Sequence, residues 1–335
     1  MRTLPCHVPL LARTRGPLAE CLHYGSIAVC DRQGELLASA GDPQALNFTR
    51  SALKPFQALP FIEDDGPAAF GLNSHQVALM CASHSGEAMH VRTVQQMLQR
   101  IGAAEADLQC GSHIPYYYSA AGQTPSAQAR FGPLHHNCSG KHAGFLAYCR
   151  LHRHPLASYL ARDAALQVRI RNTVLQWAES DRLESGVDGC GAPNFALPLA
   201  RLAFLYMRLA AAETPSLAAL RYAMTRHPEL VSGTGRTDLA LFQAGGGDWI
   251  VKAGADGVQA IGIRSRGIGI AVRIADGDVR ARHVVTVEVL HQLGLLPATL
   301  PPALATHWRP QLVNLSGTVV GTLEPLFELG AALRK

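Results

Sequence analysis

The stretch 249-WIVKAGADGVQAIGIRSRGIGIAVRIADGD-278 contains short β-branched runs separated by the turn sequences GADG and SRG. Runs of this kind, broken by glycine-rich turns, predict neighbouring antiparallel strands. Far upstream, 26-SIAVCDRQGELLASAG-41 has the same grammar: a strand, a tight polar turn over Asp31 to Gly34, and a second strand. Two strand clusters at opposite ends of a chain fit one antiparallel sheet built from both ends.

Between them the pattern is helical. Residues 86-GEAMHVRTVQQMLQRIG-102 place Val94, Met97, Leu98 and Ile101 on one face, which is helical spacing. Helices are also expected over 51-SALKPFQALPFIE-63, from Pro155 to Ala178, over 193-PNFALPLARLAFLYMRLAAAE-213 and over 215-PSLAALRYAMTRH-227. In the last two a proline stands near the start, where its missing N–H costs nothing. The predicted class is α+β, with a large helical middle region. One unit spans 1–335, with a sheet-containing lobe over about 1–50 and 240–335 and a helical lobe over about 51–239. No internal repeat, low-complexity segment or linker divides it.

At 335 residues with 48% hydrophobic side chains and 16% charged ones, the chain can bury a substantial core. Its net charge of +5 comes from scattered lysines and arginines. No basic stripe interleaved with aromatics is present, so a nucleic-acid partner is not expected. The N-terminal VPLLA is too short for a secretory segment, and no run of eighteen apolar residues suggests a membrane span. A soluble, cytoplasmic protein is the expectation. In a reducing compartment its eight cysteines need not form a disulfide framework. Cys6, Cys21, Cys30, Cys81, Cys110 and Cys149 read as buried apolar filler. Cys138 and Cys190 differ, because both lie among glycines and polar residues.

Several segments could carry chemistry. In 50-RSALKPF-56 a serine and a lysine three residues apart share a helix face. A lysine amine whose pKa is lowered by burial can then act as base for the serine hydroxyl. The bland alternative is an N-capping serine. The segment 81-CASHSGE-87 sets hydroxyls beside unpaired N–H groups at a helix start, which suits a second catalytic serine or an oxyanion site. There, Ser85 as a simple cap and His84 as a base are further readings. Finally, 137-NCSGKHAGFLAYC-149 and 188-DGCGAP-193 bring two cysteines and a lysine into play. Two thiolates, a nitrogen and a water would make an open tetrahedral zinc site. The spacing matches no paired CxxC or helical HExxH, and a reactive thiol or a plain helix start fits the same residues.

Taken together, RSALKPFQALP, CASHSGE, NCSGKHAGFLA, DGCGAPNFALPL, HPELVSGTGRTD and VKAGADGV resemble, in order, the sequence blocks of the Rhizobium etli-type L-asparaginases, also called asparaginase II or class 3. That resemblance implies a serine β-lactamase-like and glutaminase-like fold, a homodimer, and hydrolysis of L-asparagine to L-aspartate and ammonia. It implies two Ser-Lys pairs, Ser51 with Lys54 and Ser83 with Lys252. It further implies one zinc ion per chain on Cys138, Lys141 and Cys190, with Arg50, His142 and Asp188 holding substrate or supporting the site. On this basis Ser51 is expected to attack the side-chain amide with Lys54 as base, while Ser83 and Lys252 relay protons. Two rivals remain. A penicillin-recognising acylase or β-lactamase would share Ser51 and Lys54, but KAG only loosely matches a KTG strand motif and no SDN motif is present. A non-catalytic amino-acid or metal sensor would not need four intact serine and lysine positions.

Overall fold

The computed structural model describes residues 4–331. From the N-terminal side come β1 (Val8–Arg15), β2 (Leu18–Cys30) and β3 (Leu36–Ala40). Three middle strands, β4 (Leu46–Phe48), β5 (Glu184–Val187) and β6 (Pro193–Pro198), form a small separate antiparallel sheet in the order β4-β6-β5. From the C-terminal side come β7 (Trp249–Gly254), β8 (Val258–Ile263), β9 (Ile268–Ile274), β10 (Gln311–Val313), β11 (Val319–Pro325) and β12 (Gly330–Ala331). The large sheet has nine strands, in the order β10-β11-β1-β2-β9-β8-β7, with β3 paired to both β2 and β12. Its centre joins the two chain ends: Ile27 of β2 faces Val272 of β9 and Val29 faces Ile270. The expected α+β class, with an antiparallel sheet drawn from both ends, is what the chain adopts.

The helices are α1 (Lys54–Glu63), α2 (Ser74–Met80), α3 (Ala88–Ile101), α4 (Ser139–Leu151), α5 (Ala165–Ala178), α6 (Leu199–Ala211), α7 (Pro215–Arg226), α8 (Thr237–Ala244) and α9 (Val279–Gln292), with shorter turns between them. Helix α3 follows its periodicity, burying Val94, Met97, Leu98 and Ile101 and ending on Gly102 at φ 64°, a conformation that glycine adopts without steric cost. Helix α6 lies on the large sheet across β9, β8 and β2, with Leu202, Leu205, Met207 and Leu209 buried. Burial of each such side chain contributes about 1.5–3 kcal/mol.

Two glycines make that contact possible. Gly262 and Gly269 are register partners on β8 and β9. A Cβ on Gly262 would stand 2.1 Å from the Tyr206 carbonyl oxygen, and one on Gly269 would stand 1.8 Å from that of Ala203. The repeated IGI of the sequence, at 261–263 and 268–270, is therefore a flat seat for a helix backbone. Ile250 and Lys252 of β7 share this face through their register with Gly262 and Ala260, so Lys252 points to the side where α6 packs. Helix α9 packs against β9, β1 and β11, and every residue of β7 and β8 is buried.

Four local expectations differ from the structure. Residues 193–198 form β6 rather than the first turns of α6: the segment pairs with both β4 and β5, and its two prolines contribute no N–H that a helix would need to place. Residues 155–164 are turns, and α5 begins only at Ala165. Ser51 sits in a 3-10 turn, Arg50–Leu53, ahead of α1. Cys6 and Cys21 are exposed, not buried, whereas Cys30, Cys81, Cys110 and Cys149 are buried as expected.

Candidate active site

Three buried polar side chains meet where β7, α1 and the segment after α2 converge. Lys54 opens α1, and Lys252 lies in the middle of β7. Both amines donate to one oxygen, Ser83 Oγ, at 3.0 Å from Lys54 Nζ and 2.9 Å from Lys252 Nζ. Lys54 also donates to the Ala82 carbonyl and Lys252 to the Ala253 carbonyl. The Ser83 N–H donates to the Val231 carbonyl, which fixes the backbone that carries the hydroxyl. Burial is the main influence on the Lys252 amine and lowers its pKa; the Asp238 carboxylate opposes this, the Lys54 and Arg236 charges add to it, and the result is about 7. Near neutral pH a large fraction of Lys252 is thus an unprotonated amine within reach of a serine hydroxyl, the arrangement a general base needs.

The pairing differs from the one expected. Lys54 reaches across to Ser83, and no hydrogen bond joins it to Ser51 among the described residues. Starting from the first residue of α1, its chain extends towards the carbonyl and hydroxyl of residues 82 and 83 instead of folding back over the 3-10 turn. Ser51 and Ser83 nevertheless line the same cavity, of about 630 Å³. Just before Ser51, Arg50 has φ 51°, a left-handed conformation that is uncommon outside glycine. Ion pairs hold it there: Arg50 Nη2 lies 2.8 Å from Asp188 Oδ1, and Nη1 engages Asp256. Arg50 and Asp188 are thus brought together with each other, tying the Ser51 turn to the loop that carries Cys190. Burial would raise the Asp188 carboxyl, but Lys141, Arg50 and the Gly189 N–H outweigh it and hold the pKa low.

Cys138, Lys141 and Cys190 also converge. Lys141 Nζ donates to Cys190 Sγ at 3.1 Å, and all three side chains are buried. A hydrogen bond with Cys190, strengthened by the nearby Lys54 and Lys141 charges and opposed by burial, holds the Cys138 thiol well below its ordinary pKa. The same bond, together with burial, raises that of Cys190. No group of three or more His, Cys, Asp or Glu among the described residues could hold a metal ion, so Lys141 would have to supply the third donor. Burial opposes the charge on the Lys141 amine, but Cys190 and Cys138 outweigh it and raise its pKa, so the two sulfurs and this nitrogen would suit zinc only once that amine gives up its proton.

His142 is fully buried and is not among the residues lining the cavity. Its Nδ1 bonds to Tyr159 Oη at 2.7 Å, its Nε2 has no hydrogen-bond partner, and Cys190 lies beside it. The geometry thus sets His142 against the thiol cluster. His84 is structural rather than basic. Its Nδ1 accepts from the Gly86 N–H, so its Nε2–H faces Ser139 Oγ at 2.9 Å, fixing the start of α4. Burial, with neighbouring positive groups, lowers its pKa well below the ordinary value. Nor does Ser85 cap α3: Glu87 holds the N-cap position, and its N–H donates to His90 Nδ1 at 3.1 Å.

Reasoning from sequence missed the far wall of the cavity, where Tyr116, Arg236, Thr237, Asp238, Arg282 and His283 contribute. Asp238 accepts from the Ala253 N–H at 2.7 Å and from the Gln259 amide at 3.2 Å, bracing β7 next to Lys252. The signal lay within HPELVSGTGRTD, where an arginine and an aspartate follow a glycine-rich turn at the start of α8.

A serine between two lysines, on the wall of a sizeable cavity, belongs with hydrolases that work through an activated hydroxyl. The family model for L-asparaginase II matches residues 11–325. The chain belongs to the L-asparaginase II family. No curated protein matches the chain. Among solved structures, Mglu in its tris and glutamate form aligns at 16% identity and TM-score 0.37, over 86% of this chain and 63% of its own. This chain therefore spans less than two thirds of that protein. A beta-lactamase from Mycobacterium bovis aligns at 13% identity and TM-score 0.34, over 80% of this chain and 94% of its own. At these scores neither alignment carries an argument about fold or activity. Among the described residues, no helix is long and apolar enough to cross a membrane.

Proposed function

We propose that the protein hydrolyses L-asparagine to L-aspartate and ammonia, as the Rhizobium etli-type resemblance implies, with Ser83 as nucleophile. The observation that carries the choice of serine is the pair of lysine amines at 3.0 and 2.9 Å from Ser83 Oγ. Neutral Lys252 takes the Ser83 proton as Oγ bonds to the side-chain amide carbon. The resulting ammonium returns that proton to the amide nitrogen, the C–N bond breaks, and ammonia leaves a β-aspartyl ester on Ser83. Water, deprotonated by the same amine, then cleaves the ester, releasing aspartate and regenerating the hydroxyl. Lys54, donating to Oγ throughout, lowers the cost of negative charge on that oxygen. Ser51, on the same cavity wall, supplies a hydroxyl to the substrate; this reverses the roles first expected for the two serines.

Cys138, Lys141 and Cys190 would hold one zinc ion per chain, whose chemistry there is to polarise and orient a bound group. None of the proton transfers above needs it. Arg50 and Asp188, paired to each other, and His142, against the thiols, support the site around Ser51 and Cys190. The chain is read as one catalytic unit of a β-lactamase-like and glutaminase-like fold, acting in the cytoplasm as a homodimer. The test is to incubate purified protein with L-asparagine and measure ammonia and aspartate together. Equal release of both, lost in Ser83→Ala, is expected; no ammonia from asparagine would refute the activity.

A further inference from the structure

The cavity contains positive charge that the steps at Ser83 do not use. Arg236, at the start of α8, lies over the Tyr116 ring with its guanidinium carbon 5.2 Å from the centroid. No salt bridge among the described residues includes it. The acidic groups of the same cavity are engaged elsewhere: Asp256 with Arg50, and Asp238 with the Ala253 N–H and the Gln259 amide. The loop that delivers Arg236 is held firmly, because Thr234 gives both its N–H and its hydroxyl to the Glu87 carboxylate at 2.9 Å.

Arg282 supplies the second charge. It is 7% exposed, and its Nη1 and Nη2 contact the Gly254 carbonyl at 3.1 Å and His283 Nε2 at 2.7 Å. Its Nε is buried without any hydrogen-bond partner. A buried guanidinium N–H left unpaired is costly, and this one belongs to a residue of the cavity wall. Arg236 lies on the same wall and the N-terminus of α8 adds partial positive charge there, with Asp238 the carboxylate that acts on Arg282.

We propose that Arg236 and Arg282 form a carboxylate subsite that fixes which amides the enzyme accepts. This deepens the asparaginase reading and rests on it. Two sources of the carboxylate are chemically equivalent at the subsite: the α-carboxylate of asparagine itself, or a carboxylate on the leaving amine of a β-aspartyl peptide. A cavity of about 630 Å³ is in the range that holds ligands much larger than one amino acid, so both can be accommodated.

The test compares wild type, Arg236→Gln and Arg236→Lys on three substrates: L-asparagine, aspartic diamide, which lacks the α-carboxylate, and β-aspartyl-glycine. Loss of one charge-assisted contact predicts a rise in KM for asparagine of about tenfold to a hundredfold in Arg236→Gln, with kcat changed far less. The rise for the diamide should stay below about threefold, and Arg236→Lys should recover most of the loss for asparagine. A larger penalty on β-aspartyl-glycine than on asparagine would assign the subsite to the leaving group. An equal penalty on all three, or none on any, would overturn it. If wild type releases no ammonia from asparagine, the activity fails separately. The subsite is then judged by calorimetric titration with L-aspartate and succinate: binding lost in Arg236→Gln sustains it, and no binding to wild type overturns it.

Discussion

Lys252 is the residue whose environment makes the sharpest quantitative demand. Its amine is buried in β7, and with its pKa lowered to about 7 it gains base character as the pH rises through neutrality. If the unprotonated amine takes the Ser83 proton, kcat/KM should climb about tenfold per pH unit on the acid side and level off above about pH 7. Replacing it with methionine keeps the buried volume and removes the base. General-base assistance is worth about a hundredfold to ten-thousandfold, so at pH 8 Lys252→Met should lose about 3–5 kcal/mol of transition-state stabilisation. Ammonia release under subsaturating asparagine, from pH 5.5 to 9, reads both quantities. A profile flat across that range, or a folded Lys252→Met variant within about tenfold of wild type, would refute the assignment.

The other expectations are independent of that profile. Asp238→Asn removes the carboxylate that raises the Lys252 pKa, so the acid limb should move to lower pH, a shift visible in the same assay. Gly269→Ala should destabilise the fold by about 1–3 kcal/mol or more, because the new methyl would meet the Ala203 carbonyl oxygen at 1.8 Å; urea unfolding measures it. Elemental analysis should find one zinc per chain, lowered in Cys138→Ser and Cys190→Ser and released on acidification as protons compete for the ligands; full occupancy in the double variant would remove the ligand assignment. Asparagine should be preferred over glutamine, since one added methylene misplaces the reacting carbonyl when the head group is fixed; equal kcat/KM would show a loosely held head group.

The strands that build the sheet were legible because their turns are local. Asp31 to Gly34 and Ala255 to Gly257 announce themselves by residue type, and the alternation around them needs no tertiary knowledge. The β6 segment was not, since PNFALP carries no alternation: all six residues are buried, and a fully buried strand looks like the start of an apolar helix. The C-terminal strand β10 has only three residues, none of them buried, which leaves little pattern to read. At the site, the residue types Ser, Lys and Cys pointed to the right segments, but spacing could not reveal that Lys54 turns to Ser83. That pairing depends on where α1 meets the segment after α2, a long-range fact. Arg282 was invisible for the same reason, being distant in sequence from Arg236 and joined to it only by the cavity.

Acylation of Ser83 can be caught by stopping turnover of L-asparagine in acid during the steady state and mapping the modified peptide by mass spectrometry. A β-aspartyl group is expected on the peptide spanning 81–87, attached at Ser83 and absent from Ser83→Ala. A β-aspartyl group on Ser51 would contradict it and return the nucleophile to the turn before α1.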